Sequence, residues 1–351
     1  MRSRLPVTIL FATLAAPVIA AQTTPSPALL VLAKEASTLA IVDPSTLKVV
    51  WTAPAGPDPH EVIASPDGKL AYISNYGFGA YHTISRVDLE ARKALTPIEL
   101  GPLTGPHGLT FAGGKLYFTA EGAKVIGRYN PATGKVDWVF GTGQNRTHMV
   151  LVARNLDRIF TSNVSSATIS IIDKVRAPAG GPPPLPNAPP SSHPPPPRAP
   201  RGPDWNQTLV AVGRGSEGFD VTPDETELWA ANAGDGTISI VDLAGAKVAA
   251  TLNANVAGAN RLKFTPDGKR VFVSSLATGD LAVFDAASHR EVKRLKLGRG
   301  AAGILMQPDG SRAFVACSPD NNVAVIDLKT LEVTGRIETA RGPDGLAWAA
   351  H

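Results

Sequence analysis

Residues 258–298 read GANRLKFTPDGKRVFVSSLATGDLAVFDAASHREVKRLKLG. Four short segments lie inside it: NRLKFT at 260–265, RVFVSS at 270–275, DLAVFD at 280–285 and EVKRLKLG at 291–298. Apolar and β-branched residues fill them, and Pro-Asp-Gly, Gly-Asp and Ala-Ser turns separate them, which predicts four strands with tight connections. Four strands in about 40 residues is the size of one blade of a β-propeller.

The same phrases recur along the chain. SPDGK at 65–69, TPDGK at 265–269 and QPDGS at 307–311 are one turn. TLAIVD at 38, TISIID at 168, TISIVD at 237, LAVFD at 281 and VAVID at 323 are one strand. Each ends on an Asp, a residue that closes turns onto its own backbone. The first strand of each unit aligns on one column: His60, His107, His148, Glu217, Asn260, Ala302 and Asp344. Seven anchors predict seven blades in an all-β fold. The chain begins in mid-unit, with LLVLAK and TLAIVD, and ends on a lone first strand, GPDGLAWAA at 342–350. Residues 342–349 are therefore expected to pair with 28–33 and close the ring, leaving no free sheet edge between the ends.

The column spacing is 41–47 residues except between His148 and Glu217, where it is 69. The excess is a proline-rich insertion at 176–204, RAPAGGPPPLPNAPPSSHPPPPRAPRGP and the residue after it, between the third and fourth strands of one unit. Proline at this density cannot pair in a sheet and favours extended polyproline II. A protein partner could read it; a loop tolerated at a blade edge is the plainer expectation.

Residues 1–20 have the form of a secretory signal, with Arg2 and Arg4, an apolar core from Leu5 to Ala16 and the small-residue site Val18-Ile19-Ala20. The apolar core falls short of the ~20 residues that span a bilayer. The expected product is a periplasmic or secreted monomer, residues 21–351, forming one propeller domain without a membrane span. One cysteine, Cys317, allows no intramolecular disulfide. The net charge of +4 is spread evenly and gives no footprint for nucleic acid. No C-x-x-C-H haem attachment, G-x-S-x-G elbow or phosphate loop occurs.

The phrases SPDGKLAYISN at 65–75 and TPDETELWAANAGDGTISIVD at 222–242 resemble the YVTN-repeat β-propeller family, and the overall plan is similar to YncE-like periplasmic propellers. The resemblance covers the chain beyond the signal and implies the fold. It does not select a function, because such propellers host binding proteins, lactonases, lyases and copper oxidoreductases.

In a propeller, the turn before the innermost strand and the turn after the second strand open on one face. The anchor column thus lies at one mouth of the central channel. His60, His107 and His148 come from three successive blades, with Glu217 on the next. Three imidazoles and a carboxylate suit a divalent transition metal: zinc, copper, iron or manganese. The copper site of nitrous oxide reductase and the metal site of streptogramin lyase are similar in using channel-facing histidines and carboxylates. Asn260, Ala302 and Asp344 complete the ring here, so neither full set is present.

Arg146, Arg214, Arg299 and Arg341 precede the column and are expected to face the same water, where arginine forks would hold a small anionic ligand or substrate beside Asn260 and Asp344. Glu121, in YFTAEGAKV, stands where sister blades carry small polar residues; it could be a general base, an orienting partner of a histidine or a solvated turn residue. Three functions follow: a propeller that binds a metal or small anion, a metal-dependent lactonase or lyase using the same site, or a protein-interaction scaffold.

Overall fold

The computed structural model describes residues 24–175 and 204–350. Among them are seven four-stranded antiparallel sheets arranged as propeller blades. Blade 1 combines Ala28–Ala33, Thr38–Asp43 and Lys48–Pro54 with the C-terminal strand Pro343–Ala349. Blades 2 to 7 occupy 59–99, 106–141, 147–211, 216–253, 259–296 and 304–338 in chain order. The expected closure is present: Ala28 pairs with Ala349, Leu29 with Trp348 and Val31 with Leu346.

The third-strand phrases read as apolar runs rather than clean alternations because both of their faces are covered. Seven apolar clusters fill the spaces between sheets, and each draws on two neighbouring blades. Leu30 and Ile41 of blade 1 pack with Ile73 and Val87 of blade 2, and Phe314 and Val325 of blade 7 pack with Leu29 and Val42 of blade 1. The ring is thus held by burial between blades, at roughly 25 cal/mol per Å² of apolar surface. The strand-ending Asp residues close turns as expected. Asp43 Oδ1 accepts the Ser45 N–H at 2.8 Å, and Asp327 Oδ1 accepts those of Lys329 and Thr330 at 2.8 Å. Asp173 departs from this use and takes Arg158 Nε at 2.6 Å, because its strand runs on to Val175 instead of turning.

Residues 176–203 of the proline-rich insertion, and the leader at 1–20, lie outside the described residues. The strands flanking the insertion, Thr168–Val175 and Asp204–Ala211, are the third and fourth of blade 4 and pair along their full length, from Thr168–Ala211 to Val175–Asp204. No helix among the described residues is long and apolar enough to cross a membrane.

Candidate functional site

The column residues are re-aimed by a repeated defect. His60, His107, His148, Glu217, Asn260 and Asp344 are each the second residue of an innermost strand, while Ala302 lies just before Ile304–Met306. Ladder register breaks beside the column: between Pro59 and Val62, Pro106 and Leu109, Thr147 and Val150, Ser216 and Phe219, and Ala259 and Arg261. A bulge of this kind frees a residue from strict alternation and turns its side chain, here toward the channel mouth.

The N–H freed by the bulge goes to a hydroxyl on the second strand of the same blade. Gly108 donates to Thr119 Oγ1 at 2.8 Å, Met149 to Ser162 Oγ at 3.3 Å and Arg261 to Ser274 Oγ at 3.1 Å. Those hydroxyls donate onward to the next blade's column carbonyl: Thr119 to His148 O at 2.6 Å, Ser162 to Glu217 O at 2.8 Å and Ser274 to Ala302 O at 2.6 Å. The relay draws neighbouring column backbones together. A Cβ on Gly108 would lie 2.6 Å from His148 O, and one on Gly345 2.8 Å from His60 O, so glycine after the anchor is a packing requirement.

The three histidines meet. Ring centroids of His60 and His107 are 5.0 Å apart and those of His107 and His148 3.8 Å. All three side chains are buried. Tyr76 covers them, its ring 4.8 Å from His60 and 5.3 Å from His107. Glu217 joins from blade 5, its Oε1 3.3 Å from His148 Nε2 but out of line for a hydrogen bond. Glu121 is not a solvated turn residue: it is 6% exposed. Its Oε1 lies 2.5 Å from His148 Nδ1, and its Oε2 accepts the Tyr76 hydroxyl at 2.7 Å. Tyr76 and Glu121 both directly follow the second strand of their blades; this shared position was the signal that joined them.

The environment divides the imidazoles into two kinds. Burial drives His60 down to about 4, with Lys34 adding to the effect. Burial, with His148 and His60 nearby, also holds His107 well below the usual histidine range. Burial opposes charge on His148 too, but the Glu121 and Glu217 carboxylates outweigh it and hold its pKa above the ordinary value. Burial would raise both carboxylates; His148 reverses this, so Glu121 is lowered and Glu217 falls to about 2, with Arg261 contributing to the latter. Three buried ring nitrogens have no hydrogen-bond partner among the described residues: His60 Nε2, His107 Nδ1 and His148 Nε2. Asp58 Oδ1 approaches His60 Nε2 to 3.3 Å without the alignment of a bond. Donor atoms of His107, Glu121 and His148 all fall within 4.8 Å of one another.

Beneath this layer Arg261, 6% exposed, crosses the channel and donates from Nη2 to Glu61 Oε1, with Nη1 on Asn260 O at 3.1 Å. Burial raises the pKa of Asp344 against the pull of Arg261. Glu61, Met149, Arg261 and Trp348 help to line a cavity of 330 Å³ on the channel. Asn260 is buried, and its Oδ1 has no partner among the described residues.

The rim arginines do not all converge. Arg214 Nε binds Asp235 Oδ1 at 2.7 Å and Arg299 Nε binds Asp320 Oδ1 at 2.5 Å, both in exposed arms. Each of these two arginines, expected to face a ligand anion, has a carboxylate partner 21 residues onward. Arg341 is exposed. Arg146 alone of the four reaches the cluster, its Nε 3.6 Å from Glu121 Oε2. Asn163 and Asn232, the last residues of their second strands, are buried pins whose Nδ2 groups bond Ser170 and Ser239 hydroxyls at 2.9 Å.

No protein-family model and no curated protein matches the sequence. Solved structures do match in shape. A functionally unknown protein from Desulfotomaculum acetoxidans aligns with TM-score 0.70 and 13% identity, over 92% of this chain and 99% of that one. A candidate 6-phosphogluconolactonase from Bacteroides fragilis aligns with TM-score 0.69 and 17% identity, over 93% and 99%. Hydrazine synthase of Kuenenia stuttgartiensis aligns with TM-score 0.63 and 16% identity, over 82% and 89%. At these identities the likeness speaks for architecture alone: the chain is a seven-bladed β-propeller with a buried histidine–glutamate group at one mouth of its channel.

Proposed function

We propose that this protein is an exported propeller that binds one divalent transition metal ion, and beside it a small anionic ligand, at the histidine mouth. The observation that carries the reading is the convergence of donor atoms of buried His107, Glu121 and His148 within 4.8 Å of one another, where three buried imidazole nitrogens of the cluster make no hydrogen bond. Buried polar atoms are otherwise almost always satisfied. His107, His148 and Glu121 form the centre of the ligand set, with His60 and Glu217 next to it. Imidazole and carboxylate donors fit zinc, copper, iron or manganese. Glu121, shared between His148 and Tyr76, orients the imidazole and adds negative charge near the ion. Export rests on the leader-like residues 1–20 and the resemblance to YncE-like propellers, and N-terminal sequencing of the secreted chain checks it.

The test is elemental analysis of untagged protein beside His107→Ala. Wild type is expected to hold about one ion per chain and the variant to lose affinity by 100-fold or more. Binding should also depend on pH with a definite sign. Burial keeps His60 and His107 neutral at pH 7, whereas the Glu121 and Glu217 carboxylates favour the charged form of His148, which must be deprotonated to become a ligand. Affinity is therefore expected to fall about tenfold per pH unit below the raised His148 value. A wild-type chain with no stoichiometric metal, whose melting temperature neither metal nor anion raises, would hand the site to the scaffold reading.

A second reading, a metal-dependent lactonase or lyase, draws on the Glu121–His148–Glu217 chain, which keeps a proton next to the ion site. The likeness to candidate 6-phosphogluconolactonases from Bacteroides is in keeping with it. Turnover of lactone and uronate panels by the metal-loaded protein separates it from binding without chemistry.

A further inference from the structure

In six blades the residue entering the innermost strand has a positive φ. Four of these are glycines: Gly105, Gly215, Gly258 and Gly342. The other two are Asp58 at 42° and Arg146 at 53°. Both non-glycine residues touch the histidine site, Asp58 beside His60 and Arg146 beside Glu121. A third strained residue stands above them: Phe78, at φ 51°, a conformation that bulky residues rarely adopt. Leu47, Leu156 and Leu331 share such a φ at other turns; Phe78 is set apart by its place beside the site, and the conformation persists only where surrounding structure enforces it.

The surroundings of Phe78 do enforce it. Gly77 N–H donates to Asp58 Oδ2 at 2.9 Å, Gly79 N–H to Tyr76 O at 3.1 Å, and Gly105 N–H to Tyr81 O at 2.6 Å. A Cβ on Gly105 would stand 2.8 Å from Gly79 Cα. The turn is therefore pressed against the strand entry that carries His107. On this rigid support the Phe78 ring is 88% exposed, while no other large apolar side chain among the described residues exceeds 50%. Its centroid is 6.1 Å from that of Tyr76, which in turn covers the histidines. Arg146 lies on the same side of the site, with 43% of its side chain exposed and one loose ion pair at 3.6 Å.

We infer that this lip selects an aryl carboxylate: the ring lies against Phe78 and the edge of Tyr76, and the carboxylate takes the Arg146 fork. Offset or edge-on aromatic contact and bidentate guanidinium–carboxylate pairing are the recognition modes these side chains offer. The inference deepens the proposed binding function by naming the class of anion.

Calorimetric titration of the full-length mature protein, as purified with its metal, uses acetate, cyclohexanecarboxylate, benzoate and 2-naphthoate as probes. Benzoate and 2-naphthoate are expected to bind at least tenfold more tightly than acetate, and cyclohexanecarboxylate more weakly than benzoate. Phe78→Ala, at an exposed position, should fold normally and keep its metal, while the aryl preference falls to about one. Arg146→Met should weaken all four probes alike. Equal binding of acetate and 2-naphthoate, an aryl preference unchanged in Phe78→Ala, or parity of cyclohexanecarboxylate and benzoate overturns the aryl assignment. Metal present without aryl preference removes the lip alone; aryl preference without metal leaves the lip standing and removes the metal reading.

Discussion

Truncation before Pro343 is expected to abolish cooperative unfolding. The strand Pro343–Ala349 is the innermost strand of blade 1, and without it Ala28–Ala33 becomes an edge. That strand is buried at every residue, at 0–1% exposure. Its freed N–H and C=O groups would each cost ~1–3 kcal/mol where water does not reach them. Leu346 and the packed face of Trp348 would be lost as well, at ~1.5–3 kcal/mol for each large side chain. A few such terms equal the whole stability of an ordinary domain, about 5–15 kcal/mol. Calorimetry should show no single sharp transition, and sedimentation should show association through the exposed edge. A truncated chain that melts at the wild-type temperature as a monomer would mean that six complete blades and a three-stranded seventh close the ring unaided.

Glu61→Ala is expected to destabilise the fold by about 3–5 kcal/mol, the cost of leaving a buried charge without its partner. Arg261 and Glu61 are 200 residues apart in sequence and come from blades 6 and 2, so their ion pair ties one part of the ring to another across the channel. With Glu61 gone, the guanidinium keeps the Asn260 carbonyl and the influence of Asp344. The melting temperature should fall by roughly 10 °C. The double variant Glu61→Leu, Arg261→Met should recover most of that loss, since buried ion pairs are commonly replaceable by apolar groups of similar volume. A loss below about 1 kcal/mol in Glu61→Ala would assign the neutralisation of Arg261 to Asp344.

The contrast between Arg261 and the rim arginines shows where the sequence stops being informative. Arg214 and Arg299 occupy the positions that face the mouth, and nothing in their immediate neighbours announces Asp235 or Asp320. The pairing depends on two loops of one blade meeting after the second strand. Arg261 directly follows the anchor Asn260, and nothing in its phrase marks it. Its weight in the site comes from a bulge that turns it into the channel toward Glu61. Glu121 was visible as an oddity in its phrase, yet whether it was wet or buried depended on Tyr76 of the neighbouring blade.

Repetition determined what the sequence could determine alone. Turn phrases, strand lengths and the half-units at the two ends are local features, set by turn chemistry and by alternation along a few residues, so blade number, closure and the alignment of three histidines were readable directly. What only the tertiary structure decided is which side chains share a dielectric environment. The raised pKa of His148, the lowered ones of His60 and His107 and the burial of Glu121 arise between blades. Distance through space, and the exclusion of water from that space, set those properties, and neither is written in the order of residues along one blade.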